Sequence, residues 1–384
     1  MKPLIKYPGG KTQELKVINN LLPTKIANYY EPFFGGGAVF FGLEKYKKAF
    51  INDKSEDLII FYKSVKTKNK KFFHYINTIN NAWKVIHTLV GDLIKEEIEI
   101  AYNKNKIAEF IDKYKLIFKM ITIDNIIEIG KSDELFLIFK NTINTKISRI
   151  QKTEDKNGSL LDDLNKNLES AIKAGIYTVY RELYNNPNKY NVNKELKAVL
   201  YVFLREYSYS SMFRFSKNGN FNVPYGGVSY NTKYMCDKIE KMLSEETSNK
   251  FKNTIIDNLD FYDFMHKYPP HQDDFIFLDP PYDTVFSEYD KNPFSQHDQK
   301  RLANYLINEC EGKWMVVIKC TDFIESLYPV NMNTVSGGKI HIMYFDKKYA
   351  VSFMNRNKKD CQHLIITNYI IESIDENDVN RENN

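Results

Sequence analysis

Cysteine is scarce in this 384-residue chain, with four in all. Cys236, Cys310, Cys320 and Cys361 show no C-x-x-C spacing and no nearby histidine pair. That excludes a zinc framework and a disulfide scaffold, and leaves them as reduced, mostly structural thiols. Long apolar runs are also missing: none approaches the roughly 18 residues of a membrane span, and Met1-Lys2-Pro3 opens without the apolar stretch of a signal peptide. The chain is therefore expected to be cytoplasmic and away from membranes. A phosphate-binding P-loop fails on one residue. Gly10-Lys11-Thr12 suggests it, but the motif needs a glycine five positions before Gly10, where Ile5 stands. Charge of one sign is in small excess, +5 in total, and its distribution says more. Phe61 to Tyr75 holds five lysines and no acid, whereas Ile371 to Asn384 holds five acids and one arginine, the pattern of a solvated tail.

What is present is ample apolar content, 43%, in a length that fits a catalytic core with one or two appended pieces. The most informative stretch is Phe275-Ile276-Phe277-Leu278-Asp279-Pro280-Pro281-Tyr282. Four apolar residues read as a buried parallel strand, stopped by a carboxylate and two prolines that cannot continue a ladder. In an open α/β sheet such a strand end faces the ligand crevice. Asp279 and the Pro280 carbonyl are then two acceptors on a stiff turn braced by Pro281, with the Tyr282 ring beside them. This cup suits a planar ring bearing an exocyclic amino group. A second constellation is Asn28-Tyr29-Tyr30-Glu31-Pro32-Phe33-Phe34-Gly35-Gly36-Gly37, a strand running into a glycine loop, followed by a second strand, Ala49 to Asp53, that ends in an acid. Such a loop lets the backbone approach a nucleoside, and the acid accepts from ribose hydroxyls. Near the start, Lys6-Tyr7-Pro8-Gly9-Gly10-Lys11 is a glycine turn leading into a helix of roughly 13–22.

Asp-Pro-Pro-Tyr resembles the D/N-P-P-Y/F motif of amino-methyltransferases, and the whole resembles the Dam-like class of DNA N6-adenine methyltransferases. Lys6, Tyr7, Gly9, Gly10 and Lys11 match that family's K-W-A-G-G-K segment, with Tyr7 for Trp and Pro8 for Ala. Glu31-Pro32-Phe33 with the glycine loop is similar to motif I, and Asp53 to its acidic partner. The resemblance implies a Rossmann-like α/β core using S-adenosylmethionine (SAM) and no metal. It implies donor binding by Tyr7, Gly9, Gly10, Lys11, Glu31, Pro32, Phe33, Gly35, Gly37, Asp53, Asp260 and Asp279, and catalysis at Asp279, Pro280, Pro281 and Tyr282. The partner is double-stranded DNA, with a cognate restriction endonuclease as a further candidate. The N6 lone pair of adenine is delocalised, so its protons must be held by acceptors, and the base must be flipped out to reach them. Cytosine N4, an RNA adenine and a protein glutamine amide would fit the same chemistry. A silent DNA-binding protein would keep the donor pocket without turnover, and a nucleotide-dependent oxidoreductase would leave Asp-Pro-Pro-Tyr without a task.

Between the two halves the chain turns lysine-rich and helical, with apolar residues at helical spacing (Ile107, Phe110, Ile111, Tyr114, Ile117). This insert is either a small domain packed on its own apolar face or an extension of the DNA footprint. Then comes Tyr207 to Gly226, where Lys217-Asn218-Gly219-Asn220 signals a β-hairpin and aromatics alternate with Arg214, Lys217 and Asn222. The aromatics either pack the hairpin on a core or stack on bases. A similar tyrosine-rich stretch with G-x-F-N-V-P is the family's target-recognition region, which makes Tyr207, Tyr209, Arg214, Lys217, Asn222 and Tyr225 candidates for DNA contact. Arg205-Glu206 and Ser208 depart from the family's Asn-Arg and Gly. The expected layout is a donor-binding half (1–75), a helical insert (76–197), a recognition region with a hairpin (198–240), a catalytic half (241–370) and an acidic tail (371–384). Further strands are expected at Ile255 to Phe261, Trp314 to Ile318, Ile340 to Phe345 and His363 to Tyr369, with a helix near Gln296 to Cys310.

Overall fold

A computed structural model describes residues 1–7, 9–11, 14–127, 129–157, 164–282, 294–346, 350–352 and 363–371. Pro8, Cys361 and nearly all of the acidic tail lie outside these residues. The chain forms two compact units, one made of residues 1–59 and 248–384, the other of 60–247.

The first unit is built on one sheet. Its strands are β1 (Asn28–Glu31), β2 (Lys48–Asn52), β3 (Thr254–Asp257), β4 (Phe275–Leu278), β5 (Lys313–Lys319), β6 (His341–Asp346), β7 (Ala350–Ser352) and β8 (His363–Thr367), in the order β3-β2-β1-β4-β5-β8-β6-β7. The first five are parallel, and β8 runs antiparallel between β5 and β6. The unbroken apolar runs explain the arrangement: β4 is buried along its whole length, as a parallel strand covered on both faces must be. Strand order reverses between β1 and β4, which pair Tyr29 with Phe275 and Tyr30 with Ile276. The crevice of the fold therefore opens beyond Glu31 and Leu278. Asp274 anchors this seam, accepting from the Asn28 backbone N–H (3.0 Å), the Asn28 side-chain amide (2.8 Å) and the His271 N–H (3.0 Å).

Helices are numbered in chain order. In the first unit α1 (Leu15–Asn20) is shorter than expected, and α2 (Ala38–Gly42) starts at the glycine loop. The chain leaves within α3 (Glu56–Lys66). The second unit holds α4 (Lys70–Thr88), which ends in a π-helical turn, then α5 (Lys95–Asn103), α6 (Ile107–Lys113), α7 (Lys115–Thr122), α8 (Ser132–Asn157), α9 (Leu164–Asn185), α10 (Lys194–Tyr207) and α11 (Cys236–Leu243). The chain returns through α12 (Glu245–Phe251), and α13 (Phe261–Lys267), α14 (Gln296–Asn308) and α15 (Asp322–Leu327) complete the first unit. The β3 segment ends at Asp257, four residues short of its expected end at Phe261, because Asp260 caps α13, accepting from the Tyr262 N–H at 3.1 Å. Among the described helices none is long and apolar enough to cross a membrane.

In the second unit α8 and α9 pack closely at Gly175, where a Cβ would lie 2.8 Å from the Phe139 ring and 3.1 Å from Ile143. Trp83 of α4 is buried against Tyr207, at 4.6 Å between ring centroids, and against Phe203 and Tyr225. The insert and the recognition region thus share one core.

Candidate active site

Asp279, Pro280, Pro281 and Tyr282 follow β4 into the crevice. The turn is fixed from below: Gln299 of α14, fully buried, donates its side-chain amide to the Pro281 carbonyl at 2.9 Å. Lys11 meets the turn from the chain's other end. Its ammonium lies 2.7 Å from Asp279 Oδ1 and 2.7 Å from the Tyr282 hydroxyl, and also donates to the Gly9 carbonyl at 3.2 Å. Lys11 is buried and the Asp279 side chain is one-fifth exposed. Burial pushes the Asp279 carboxyl up to about 6, against the opposing pull of Lys11. Burial also works against the Lys11 charge, but Asp279 and Tyr282 outweigh it and leave the ammonium more basic than usual. The Tyr282 ring packs edge-on to His363, the first residue of β8, at 5.8 Å, a neighbour that no motif announces.

The glycine loop is shaped by the protein's own rings. A Cβ on Gly35 would come within 3.0 Å of the Tyr7 ring, and one on Gly37 within 2.4 Å of Phe34. Both glycines have positive φ. Tyr7 therefore lies on the loop, and the Gly10 N–H donates back to the Tyr7 carbonyl at 3.1 Å. Gly9 faces open space. Asp53 braces the loop, its two carboxylate oxygens accepting from the Gly35 and Ser55 N–H groups at 2.8 Å each. Glu31 and Pro32 are buried beneath it. The Tyr29 hydroxyl donates to Glu31 at 2.7 Å, and burial holds that carboxyl well above the ordinary range.

Beside the loop, Phe33, Phe261 and Phe294 form an aromatic cluster, with centroids 5.3 to 5.7 Å apart. At its edge Arg301 of α14 donates to Asp260 and to Asp298 at 2.9 Å each, and lies over the Phe261 ring. Phe294 and Arg301 were not singled out by sequence. The clue was Ser295-Gln296-His297-Asp298, a capping box that the structure forms in full and that brings α14 to this place. The open face at Gly9, the aromatic cluster and the carboxylates of Asp53 and Asp260 are of the chemistry that a nucleoside-bearing methyl donor needs.

Residues 7–351 match the family model of the D12 class N6 adenine-specific DNA methyltransferases. The chain belongs to this family. It is an adenine-specific DNA methyltransferase, and DNA is its substrate. Relatives include the type II methyltransferase M.CviBI of Paramecium bursaria Chlorella virus NC1A, 24% identical over 96% of this chain and 100% of that protein. The type II methyltransferase M.MjaIII of Methanocaldococcus jannaschii is 26% identical over 79% of each. The retron Ec67 DNA adenine methylase of Escherichia coli is 31% identical over 38% of this chain and 50% of its own length.

The segment expected to serve target recognition lies in the second unit. The expected hairpin is short: Phe215 and Phe221 form a single antiparallel bridge, closed by Ser216 and Asn220 with Gly219 at φ +73°. Phe215, Phe221, Val223 and Tyr225 point inward, while Arg214, Asn222 and Pro224 alternate outward. Tyr209 is exposed, as are Lys217 and Asn222, and Arg214 donates to the Asn222 side chain at 3.0 Å. Tyr207 and Tyr225 sit in the core. The Tyr207 hydroxyl donates to the Lys233 carbonyl and that of Tyr225 to Asn231, so these two rings brace the segment from behind.

The departures at Arg205 and Glu206 have a local explanation. Arg205 is buried over the Phe213 ring at 4.1 Å, and Glu206 is paired with Lys233 and Lys238. Helix α9 supports the returning arm in place of a neighbouring strand. Asn185 donates to the Phe221 carbonyl (3.0 Å) and accepts its N–H (2.8 Å), while Tyr177 and Arg181 both donate to the Val223 carbonyl. These three lie at i, i+4 and i+8, one stripe of the helix.

Proposed function

We propose that this enzyme transfers a methyl group from SAM to N6 of an adenine flipped out of a specific double-stranded DNA sequence, with Asp279 as the catalytic acceptor. The observation that carries this reading is the position of Asp279, held on a rigid turn at the switch point of the sheet with its carboxyl raised to about 6. Ionised above that pH, Asp279 accepts one amino proton while the Pro280 carbonyl accepts the other. The nitrogen lone pair is thereby drawn out of the ring. Tyr282 stacks on the extruded base and Pro281 stiffens the turn. SAM, when bound, supplies a methyl group already activated as a sulfonium.

The protein's remaining task is orientation, worth about 7–11 kcal/mol at the upper range of such effects. Tyr7, Gly9, Gly10, Gly35 and Gly37 shape the donor's entrance. Asp53 and Asp260 offer acceptors to its ribose and adenine, Phe33 flanks the ring, and Glu31 with Pro32 holds the loop. On the DNA side Tyr209, Arg214, Lys217 and Asn222 are the contact residues. Type II relatives support a restriction endonuclease as a functional companion.

Mass spectrometry of nucleosides from duplex DNA incubated with protein and SAM should yield N6-methyladenine. The product should be lost in Asp279→Ala while SAM still binds by calorimetry. N4-methylcytosine as the product, or parental turnover by Asp279→Ala, would overturn the assignment.

A further inference from the structure

The second unit neutralises much of its own positive charge. Lys113 is paired with Glu97, Lys140 with Asp112, Lys115 and Lys119 with Asp133, and Lys189 with Glu134. Four carboxylates answer those five lysines, so a general DNA clamp over that surface would meet acids among its bases. Lys146, Arg149 and Arg181 stand outside those pairs. Lys146 and Arg149 stand one turn apart on α8, and Arg181 projects from α9, the helix packed against it. Among the described residues no ion pair joins any of the three to a carboxylate. Burial first, and then the like charges of Arg149 and Arg181, hold the Lys146 ammonium below its ordinary pKa. Lys146 therefore lies in the field of both arginines, one turn along its own helix and on the helix packed against it.

Gathering like charges without a counter-charge is unfavourable, and this group sits at an informative place. Arg181 Nη1 donates to the Val223 carbonyl at 3.3 Å. Val223 is the neighbour of Asn222, whose side chain accepts from Arg214. The cluster is thus tied through one backbone group to the segment that presents the base-reading candidate. Lys146 is half-buried, and Arg149 is exposed. A phosphodiester is the anion that lies alongside any base edge.

We propose that Lys146, Arg149 and Arg181 form a phosphate-binding site of the insert, which grips the DNA backbone next to the base pair read by Arg214. The inference rests on the DNA-methylating reading above. It gives the insert a definite part in recognition: non-specific grip at a fixed offset from the specific contact.

The test is fluorescence anisotropy of two labelled duplexes, one containing the site that the enzyme methylates and one of random sequence, over about 50–200 mM salt. Lys146→Gln/Arg149→Gln should weaken binding to both duplexes by the same factor. It should also make the slope of log affinity against log salt shallower by about 1 to 2. Arg149→Gln alone, on an exposed position, should take about half of that change, and Lys146→Arg/Arg149→Lys should restore it. Parental slopes in both glutamine variants, or a loss confined to the methylated-site duplex, would overturn the proposal while leaving the methyltransferase reading in place. A parent protein that neither binds DNA nor methylates it would overturn both.

Discussion

Replacing Lys11 by Met keeps the length of the side chain and removes the only charge that the described residues bring onto Asp279 Oδ1 at 2.7 Å. Breaking a buried ion pair from one side costs on the order of 3–5 kcal/mol if the orphaned carboxylate must stay charged. Asp279 has a way out, because it can take up a proton. Its carboxyl already stands at about 6 with Lys11 in place, burial outweighing the ammonium. Without the ammonium, burial acts unopposed and the carboxyl rises further.

The sign of the effect on rate follows from which form works. Only the ionised carboxylate accepts the amino proton, so activity in the parent should fall below about pH 6, tenfold per unit at the limit. In Lys11→Met that acidic arm should move to higher pH, each unit corresponding to about 1.4 kcal/mol of lost carboxylate stabilisation. For stability the sign is opposite. A carboxyl raised in the folded state makes folding less favourable as pH climbs from the unfolded value through the folded one, so the variant's melting temperature should fall more steeply than the parent's between mildly acidic and neutral pH. Single-turnover transfer of tritiated methyl groups at saturating DNA and donor, run from acid to alkaline pH, measures the arm. An unchanged midpoint in Lys11→Met would refute the claim that Lys11 sets the charge state of Asp279.

Asp53→Ala should weaken SAM binding by roughly 1–3 kcal/mol, because the Gly35 and Ser55 N–H groups lose their acceptor as well as the ligand; calorimetry giving the parental affinity would refute it. Arg214→Ala should relax the preference at one base pair and leave random DNA nearly unaffected, a difference read in a series of site variants. In α9, Asn185→Ala should destabilise the recognition arm by roughly 1–3 kcal/mol, since a donor and an acceptor of Phe221 both lose their partner, and denaturant unfolding would show it. Gly175→Ala should lower stability by about 1–3 kcal/mol through its contact with Phe139, less about 1 kcal/mol from better helix propensity, and a stabilised variant would contradict the packing.

The parts legible in sequence were those whose pattern is local. An apolar run cut off by Asp279-Pro280-Pro281, the glycines ahead of α2, and an alternation of inward aromatics and outward polar residues around Gly219 each announce themselves within a dozen residues. The strands emerged within one or two residues of expectation for β2, β5 and β6. What stayed hidden depends on partners far along the chain. Asp53 reads as a ribose acceptor, and the structure shows it bracing Gly35. Lys11 stands in a glycine turn, and nothing near it says that its ammonium ends on Asp279. The tyrosines at 207 and 225 resemble Tyr209 by composition, yet the Trp83 core claims them because α4 lies on that side. Nor does any motif mark Tyr177, Arg181 and Asn185 as supports, since a helix that stands in for a strand keeps an ordinary helical spacing.

The ladder that pairs Asn52 with Asp257 joins strands on either side of the entire second unit. Thermodynamically this costs little, since each doubling of a flexible connection adds only about 0.6 kcal/mol. Kinetically it imposes an order. During synthesis the second unit is complete in sequence before β3, β4 or β5 has left the ribosome, so the recognition segment can form on its helices while β1 and β2 wait with open edges. Those two strands, paired with each other but each open along its outer edge, are the surface a nascent chain has to keep from other chains. The exposure of β1 ends only when β4 is inserted beside it, and the same event brings Asp279 to its place, so the carboxylate proposed for catalysis arrives at the moment that edge is closed.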